Sequence, residues 1–363
     1  MNAKHLYIHV PFCARRCTYC DFSIAVRRRT PVAEYLEGLA RELAITGMPR
    51  DLSTVYLGGG TPSRLGGEGI AQLAARLGNP AGLAEFTIEA NPEDVTAESA
   101  RAWRAAGVNR LSLGGQSFDD AVLHWMHRSH DSARIGQAVR AAREAGIENV
   151  SLDLIFWLPE ALQRDWRRDL DRAIALEPNH ISLYGLTVED GAPLGRLVRR
   201  GQVDVGQDSR YEDEYLLAHE RLGAAGFAFY EVSNAARPGF EAVHNRAYWR
   251  SVPYLGVGPS AHSFDGAARW WNEPAYTKWQ TRLAAGESPV SGREILSDAQ
   301  RAVEQLYLGL RTSDGIDLTD PVAAKVAANA GLWIAEGWAR RDGDRLRLST
   351  LGWLRLDVLV ASV

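Results

Sequence analysis

The chain has 363 residues, 46% apolar and 24% charged, with 41 Lys plus Arg against 45 Asp plus Glu for a formal charge of −4. That length is ample for a buried core without disulfide staples and predicts two or three domains, while the charge balance excludes a whole-chain basic excess for nucleic acid or anionic membrane. No apolar run reaches the roughly 20 residues of a membrane-spanning helix, and the start MNAKHLYIHV has no basic stretch followed by a long apolar one, so the expected location is the cytoplasm.

The first expected element is a strand over 6–10, followed at once by CARRCTYC, which places Cys13, Cys17 and Cys20 within eight positions. An odd, tight cysteine group in a reducing compartment favours metal ligation over disulfides. Three thiolates at C-x3-C-x2-C spacing suit three corners of a four-iron cluster with the fourth iron open. The alternative is a zinc site completed by His9, which is weakened by the position of His9 inside the alternating strand.

A helix over 31–45 and a strand over 54–57 come next, the strand ending in LGGGTPS. Gly59 and Gly60 let backbone approach a ligand closely, although a tight strand-to-helix turn explains a glycine run equally well. No Gly-Lys-Ser/Thr follows, so this is not a P-loop.

Helices over 67–77, 96–106, 131–145, 162–176 and 208–225 then alternate with strands over 85–90, 110–113, 149–156 and 180–186, and Gly107, Gly146 and Gly226 are expected helix stops. This alternation predicts a parallel α/β architecture whose loops after the strand ends converge on one face. Six strands are too few for a closed eight-stranded barrel. Polar residues recur at those strand ends: Glu89, Gln116, Asp153 and Thr187. A carboxylate in an apolar strand is costly to bury alone, and four such positions point to one shared site. His124, His127 and His130 do not share a helix face, the third lying about 240° from the first, so they are read as non-metal, with Arg128 the better ligand contact.

After residue 226 the pattern becomes irregular and aromatic over 227–294, read as a second unit. His244 in HNRAYW is either a hydrogen-bonded core histidine or an axial haem ligand, and the residues alone favour the core reading. Over 295–363 a helix, a second helix at 321–336, a hairpin at WARRDGDRLRLS and a final apolar stretch predict a winged-helix-like unit. Arg340, Arg341, Arg345 and Arg347 would then lie on its wing, most simply as a solvated face.

With these motifs assembled, the chain resembles the radical S-adenosylmethionine (SAM) proteins of the oxygen-independent coproporphyrinogen III oxidase family, in particular the haem-chaperone branch. The resemblance rests on YIHVPFCARRCTYCDF, GGGTPS, EANPE, GGQSF, HRSH, SLDLI, ISLYGLTVE, YEVSNAARPG, HNRAYW and GPSAHSF, in order along nearly the whole chain.

It implies an α/β fold, a partial (βα)6 TIM-like barrel over 1–226 with the winged-helix-like α+β extension. It further implies a [4Fe-4S] cluster on Cys13, Cys17 and Cys20, and SAM on the open iron. Tyr7, Tyr19, Gly59, Gly60, Thr61, Glu89, Gln116, Arg128, Asp153 and Thr187 match SAM-contacting positions, and His244 becomes the candidate haem-iron ligand. The partners implied are haem, haem-accepting proteins, an electron donor such as flavodoxin or ferredoxin, and a second copy of the chain in a homodimer; nucleic acid and membrane are not implied. True oxidases carry a long N-terminal extension and usually a further cysteine after the third. Here 12 residues precede Cys13 and DFSIAV follows Cys20, which favours haem binding and delivery over porphyrinogen decarboxylation. Trp157 replaces a common glycine and is expected to narrow the site or stack on a ligand, and Pro259 and Ser260 replace a Gly-Ala-Gly type of loop.

Overall fold

The computed structural model describes residues 3–78, 80 and 82–363. The six expected strands form: β1 (His5–Val10), β2 (Thr54–Gly59), β3 (Glu85–Ala90), β4 (Arg110–Gln116), β5 (Asn149–Phe156) and β6 (His180–Gly185). They lie side by side in chain order, all parallel. Leu6, Ile8 and Val10 of β1 join the main hydrophobic core, so the alternate residues His5, Tyr7 and His9 face the barrel interior.

The intervening helices are Val32–Thr46, Gly66–Arg76, Ala97–Ala105, Ser132–Glu144, Trp166–Ala175 and Asp208–Ala224. Their starts follow capping chemistry: Thr96 and Ser99 form a capping box, and Asp131 and Asp165 accept from backbone N–H groups of the first turn. The expected stops Gly107, Gly146 and Gly226 sit at φ +100°, +84° and +85°, where an L-residue is strained.

Residues 227–294 do not make a sheet of their own. β7 (Ala228–Glu231) and β8 (Asn234–Ala236) add antiparallel beyond β6, while β9 (Tyr254–Val257) pairs parallel with β1 and is followed outward by β10 (His262–Phe264), β11 (Ala268–Asn272) and β12 (Val290–Ile295). Among the described residues the result is one open sheet of twelve strands.

The first contact across its gap is made by the helix Asp298–Arg311, whose Glu304 pairs with Arg269 of β11 and whose Arg311 reaches Glu231 of β7 at 2.7 Å. On the outer side, Glu42 is fully buried and accepts from Gly258 N–H (2.9 Å), Asn272 Nδ2 (2.6 Å) and Trp279 Nε1 (2.9 Å), tying the first helix to the loop after β9.

The C-terminal unit follows the expected order of helix, short strand, helix Ala324–Ala335 and hairpin, with strand Arg345–Leu348 between Ile316–Asp317 and Ala339–Asp342. It has its own core around Leu310, Val326, Trp333 and Leu346. Two of its wing arginines are neutralised locally, Arg341 by Asp344 and Arg347 by Asp342.

Candidate functional site

The carboxyl ends of β1 to β6 surround a cavity of about 430 Å3. Cys13, Cys17 and Cys20 line it, as do Tyr19, Gly59, Gly60, Thr61, Glu89, Gln116, Arg128, Asp153 and Thr187. Twelve sequence-selected residues from seven separate segments therefore meet in one place. Convergence follows from topology, because parallel strands deliver the loops after them to a single rim.

The cysteines are all free thiols and partly buried. Cys13 Sγ lies 3.4 Å from the Thr61 hydroxyl, and Arg128 Nη1 donates to Cys17 Sγ at 3.6 Å. Burial pushes the thiols of Cys13 and Cys20 up, Cys20 to about 11. Three free cysteines on one cavity, with the Arg128 guanidinium beside Cys17, fit a multi-iron group that would be held by three thiolates. The zinc alternative is not assembled: His9 is engaged through Nδ1 by the Tyr7 hydroxyl (3.1 Å) and through Nε2 by Ser23 carbonyl oxygen (3.3 Å). Among the described residues no three His, Cys, Asp or Glu side chains are placed to clasp a single ion.

The glycines perform as close-approach positions. A Cβ on Gly60 would stand 2.8 Å from the Pro11 carbonyl carbon and oxygen, and one on Gly59, at φ +113°, would meet the His9 ring at 2.7 Å. Side chains at either position would push the β2 turn off the segment that leads to Cys13. Gly59 N–H also donates to Glu89 Oε2 (3.1 Å), while Tyr56 hydroxyl donates to Glu89 Oε1 (2.9 Å). Burial outweighs these donors and pushes the Glu89 carboxyl up to about 7, with the Asp153 charge adding to the rise. Asp153 is likewise raised by burial and accepts from the Ser112 hydroxyl at 3.1 Å. Gln116 and His127, both on the cavity wall, hold left-handed backbone at φ 65° and 58°, conformations that cost a non-glycine residue about 1–3 kcal/mol.

Sequence reasoning missed Asn91, Ser112 and Tyr184, which also line the cavity. Asn91 Oδ1 accepts from Arg128 Nη2 at 2.7 Å and so fixes the arginine beside Cys17. Its position directly after β3 was the available signal. His130, read as non-metal, is buried between Glu93 (3.3 Å) and Gly115 carbonyl oxygen (3.3 Å).

Tyr7, on the interior face of β1, is half-buried, stacks on Tyr56 and bonds to His9, and a Cβ at Gly58 would touch both its ring (2.9 Å) and the Glu89 carboxylate (3.1 Å). One expectation, that for Trp157, is corrected. Trp157 does not narrow the site. Its backbone takes the left-handed φ of 58° that suits a glycine, and its ring turns outward onto Tyr211 and the Gln207 carbonyl.

His244 lies at the opposite end of the barrel from the cysteines, fully buried, with Nδ1 2.7 Å from Thr54 Oγ1 and Nε2 2.8 Å from the Tyr248 hydroxyl. Both ring nitrogens are occupied, so in this structure it is a hydrogen-bonded core histidine and not a free iron ligand. Burial pushes its imidazole down to about 3, which keeps it neutral. The Glu85 carboxylate holds the start of its helix Val243–Trp249 by accepting from Val243 N–H (2.7 Å) and His244 N–H (3.2 Å). Pro259 and Ser260 stay outside the cavity lining, Ser260 at φ 64°.

The description of the Radical SAM superfamily matches residues 7–173. Across the whole chain the similarity is more specific. The protein is 38% identical to haem chaperone HemW of Mycobacterium tuberculosis (strain CDC 1551 / Oshkosh), over 99% of this chain and 94% of that protein. It is 35% identical to haem chaperone HemW of Bacillus subtilis (strain 168), over 86% and 84%. Among solved structures it superposes on coproporphyrinogen III oxidase (HemN) of Escherichia coli with a TM-score of 0.82 and 22% identity, over 98% of this chain and 88% of that one, a likeness of fold. With a cysteine-lined cavity at the carboxyl rim of an open six-strand parallel barrel and full-length relatives at this level of identity, the chain belongs to the HemW family of the radical SAM superfamily.

Proposed function

We propose that the protein is a haem chaperone that holds a [4Fe-4S] cluster and SAM in the barrel cavity and binds haem for delivery to haem-accepting proteins. The observation that carries this reading is the similarity to haem chaperones in several bacteria, at 35–38% identity over 71–99% of this chain.

Cys13, Cys17 and Cys20 would hold the cluster, which when bound supplies one-electron reducing chemistry to the SAM on its open iron. The chain's own part is binding and orientation. Ionised Glu89 offers an acceptor for the SAM ammonium, the Gly59–Gly60 turn admits backbone contact, and Arg128, fixed by Asn91 and Gly114, places positive charge beside Cys17.

A second recess of about 250 Å3, lined by Tyr248, Trp249, Tyr254, Phe264 and the Arg269–Glu304 ion pair, opens beside the HNRAYW helix and offers aromatic walls. It is the surface we assign to haem. Ligation of iron by His244 would require the Tyr248 hydroxyl to leave Nε2.

The test is anaerobic reconstitution with iron and sulfide, followed by haem titration and a coproporphyrinogen III assay on the same sample. A Soret band without formation of protoporphyrinogen IX is expected. Turnover of coproporphyrinogen III would decide for the oxidase reading, and a Soret band indifferent to His244→Ala would remove His244 as the ligand.

A further inference from the structure

Beside the cysteine loop the outer surface carries a groove of about 450 Å3 that the cavity chemistry does not use. Its floor is Thr18, one wall is His124, Trp125 and His127, and the other is formed around Arg196 and Arg200 at the helix Pro193–Arg199. The lining contains no carboxylate. Arg196 and Arg200 have no ion-pair partner among the described residues, whereas neighbouring Arg199 is paired with Asp190 at 2.8 Å. In a chain of net charge −4 this is a local concentration of positive charge around an accessible tryptophan.

The groove and the cavity share a wall. His127 lines both. Thr18 is peptide-linked to Cys17 and to Tyr19, and it is pinned on every side: Thr18 N–H donates to Met126 carbonyl oxygen (3.2 Å), its hydroxyl to Trp125 carbonyl oxygen (2.7 Å), and Leu194 N–H to the Thr18 carbonyl (2.8 Å). Both walls of the groove are therefore fastened to the residue that separates two cysteines of the cluster loop. A partner seated there is one residue from Cys17.

We propose that this groove is the docking surface for an acidic, low-potential one-electron carrier protein, which reduces the cluster across the Cys17–Thr18 segment. The inference rests on the cluster assignment above. In the transfer the carrier loses one electron and the cluster gains one; no bond forms or breaks and no proton moves. Redox encounters of this kind use small interfaces, below about 1,200 Å2, and depend on complementary charge for rate more than on buried area.

The test uses the full chain with its cluster reconstituted, hydroquinone-state flavodoxin as the acidic carrier and photoreduced 5-deazaflavin as a small reductant that needs no docking. For the double variant Arg196→Glu/Arg200→Glu we expect the second-order rate of cluster bleaching by flavodoxin at low ionic strength to fall about tenfold or more and to lose its decline with salt. Flavodoxin binding measured by titration should weaken in parallel. Reduction by deazaflavin and the haem Soret band should stay at the unmodified level, and Arg196→Lys/Arg200→Lys should keep most of the flavodoxin rate. Equal flavodoxin rate and affinity in the Glu variant would overturn the docking proposal alone, as would a cluster that deazaflavin reduces and flavodoxin neither reduces nor binds. A cluster that neither reagent reduces would overturn the radical SAM reading and this proposal with it.

Discussion

Glu42 should make the fold less stable as pH rises through neutrality, and substituting it isolates the effect. Its carboxylate is fully buried, and although three donors face it, burial dominates and pushes its carboxyl from 4.5 up to about 7. The folded state therefore keeps a proton that the unfolded chain releases near 4.5. Stability from this group is complete below that pH and is lost as pH rises through about 7. At about 1.4 kcal/mol per pH unit, the difference corresponds to about 3 kcal/mol. Glu42→Gln keeps the shape and removes the titration. The measurement is urea unfolding of both proteins at pH 5 and pH 8, followed by tryptophan fluorescence, so that other titrating groups cancel in the difference. Relative to the Gln variant, the unmodified protein should be about 2–3 kcal/mol more stable at pH 5 than at pH 8. A difference of the same size at both pH values would refute the argument that desolvation outweighs the three hydrogen bonds.

Other expectations concern the cavity and the HNRAYW helix. Gly60→Ala should lower the iron retained after reconstitution, because its Cβ meets rigid Pro11 backbone at 2.8 Å, whereas Gly223→Ala, with open space around it, should raise stability by about 0.5–1 kcal/mol; iron content and thermal unfolding of the two variants check this. SAM affinity measured by calorimetry should rise between pH 6 and pH 8 as Glu89 ionises near 7, and Tyr56→Phe, which removes a donor to that carboxylate, should move the midpoint upward. Tyr248→Phe leaves the buried His244 Nε2 without its 2.8 Å partner and should cost about 1–3 kcal/mol by denaturant titration. If His244 ligates haem, the same variant should also bind haem more tightly by Soret titration.

The cysteine loop and the strand-end residues were legible because each rests on local pattern: a C-x3-C-x2-C spacing, or a polar residue at the end of an apolar run. The six βα units were legible for the same reason. What the sequence hid depends on contacts between distant segments. Leu255 pairs with Leu6 on the adjacent strand although nearly the whole barrel sequence separates them, so a short strand in an irregular aromatic stretch gives no sign that it extends the same sheet. Trp157 was misdirected by resemblance. A left-handed backbone turns Trp157 away from the cavity. Reading His244 by residue type alone gave its hydrogen-bonded setting, but neither its partners Thr54 and Tyr248 nor its place at the far end of the barrel.

That placement makes β1 and β2 struts between the buried His244 and the thiol-lined rim. His5 and Thr54, the first residues of these strands, form with His244 a hydrogen-bonded chain, His5 Nδ1 lying 2.8 Å and His244 Nδ1 2.7 Å from the same Thr54 hydroxyl. Their last residues, five positions on, carry the chain into the cysteine loop and the Gly59–Gly60 turn. At about 3.3 Å per residue the two ends are separated by only ~17 Å of stiff, paired backbone. A change that breaks the bonds of His244 to Thr54 therefore acts on the feet of the two strands whose tips shape the thiol-lined rim.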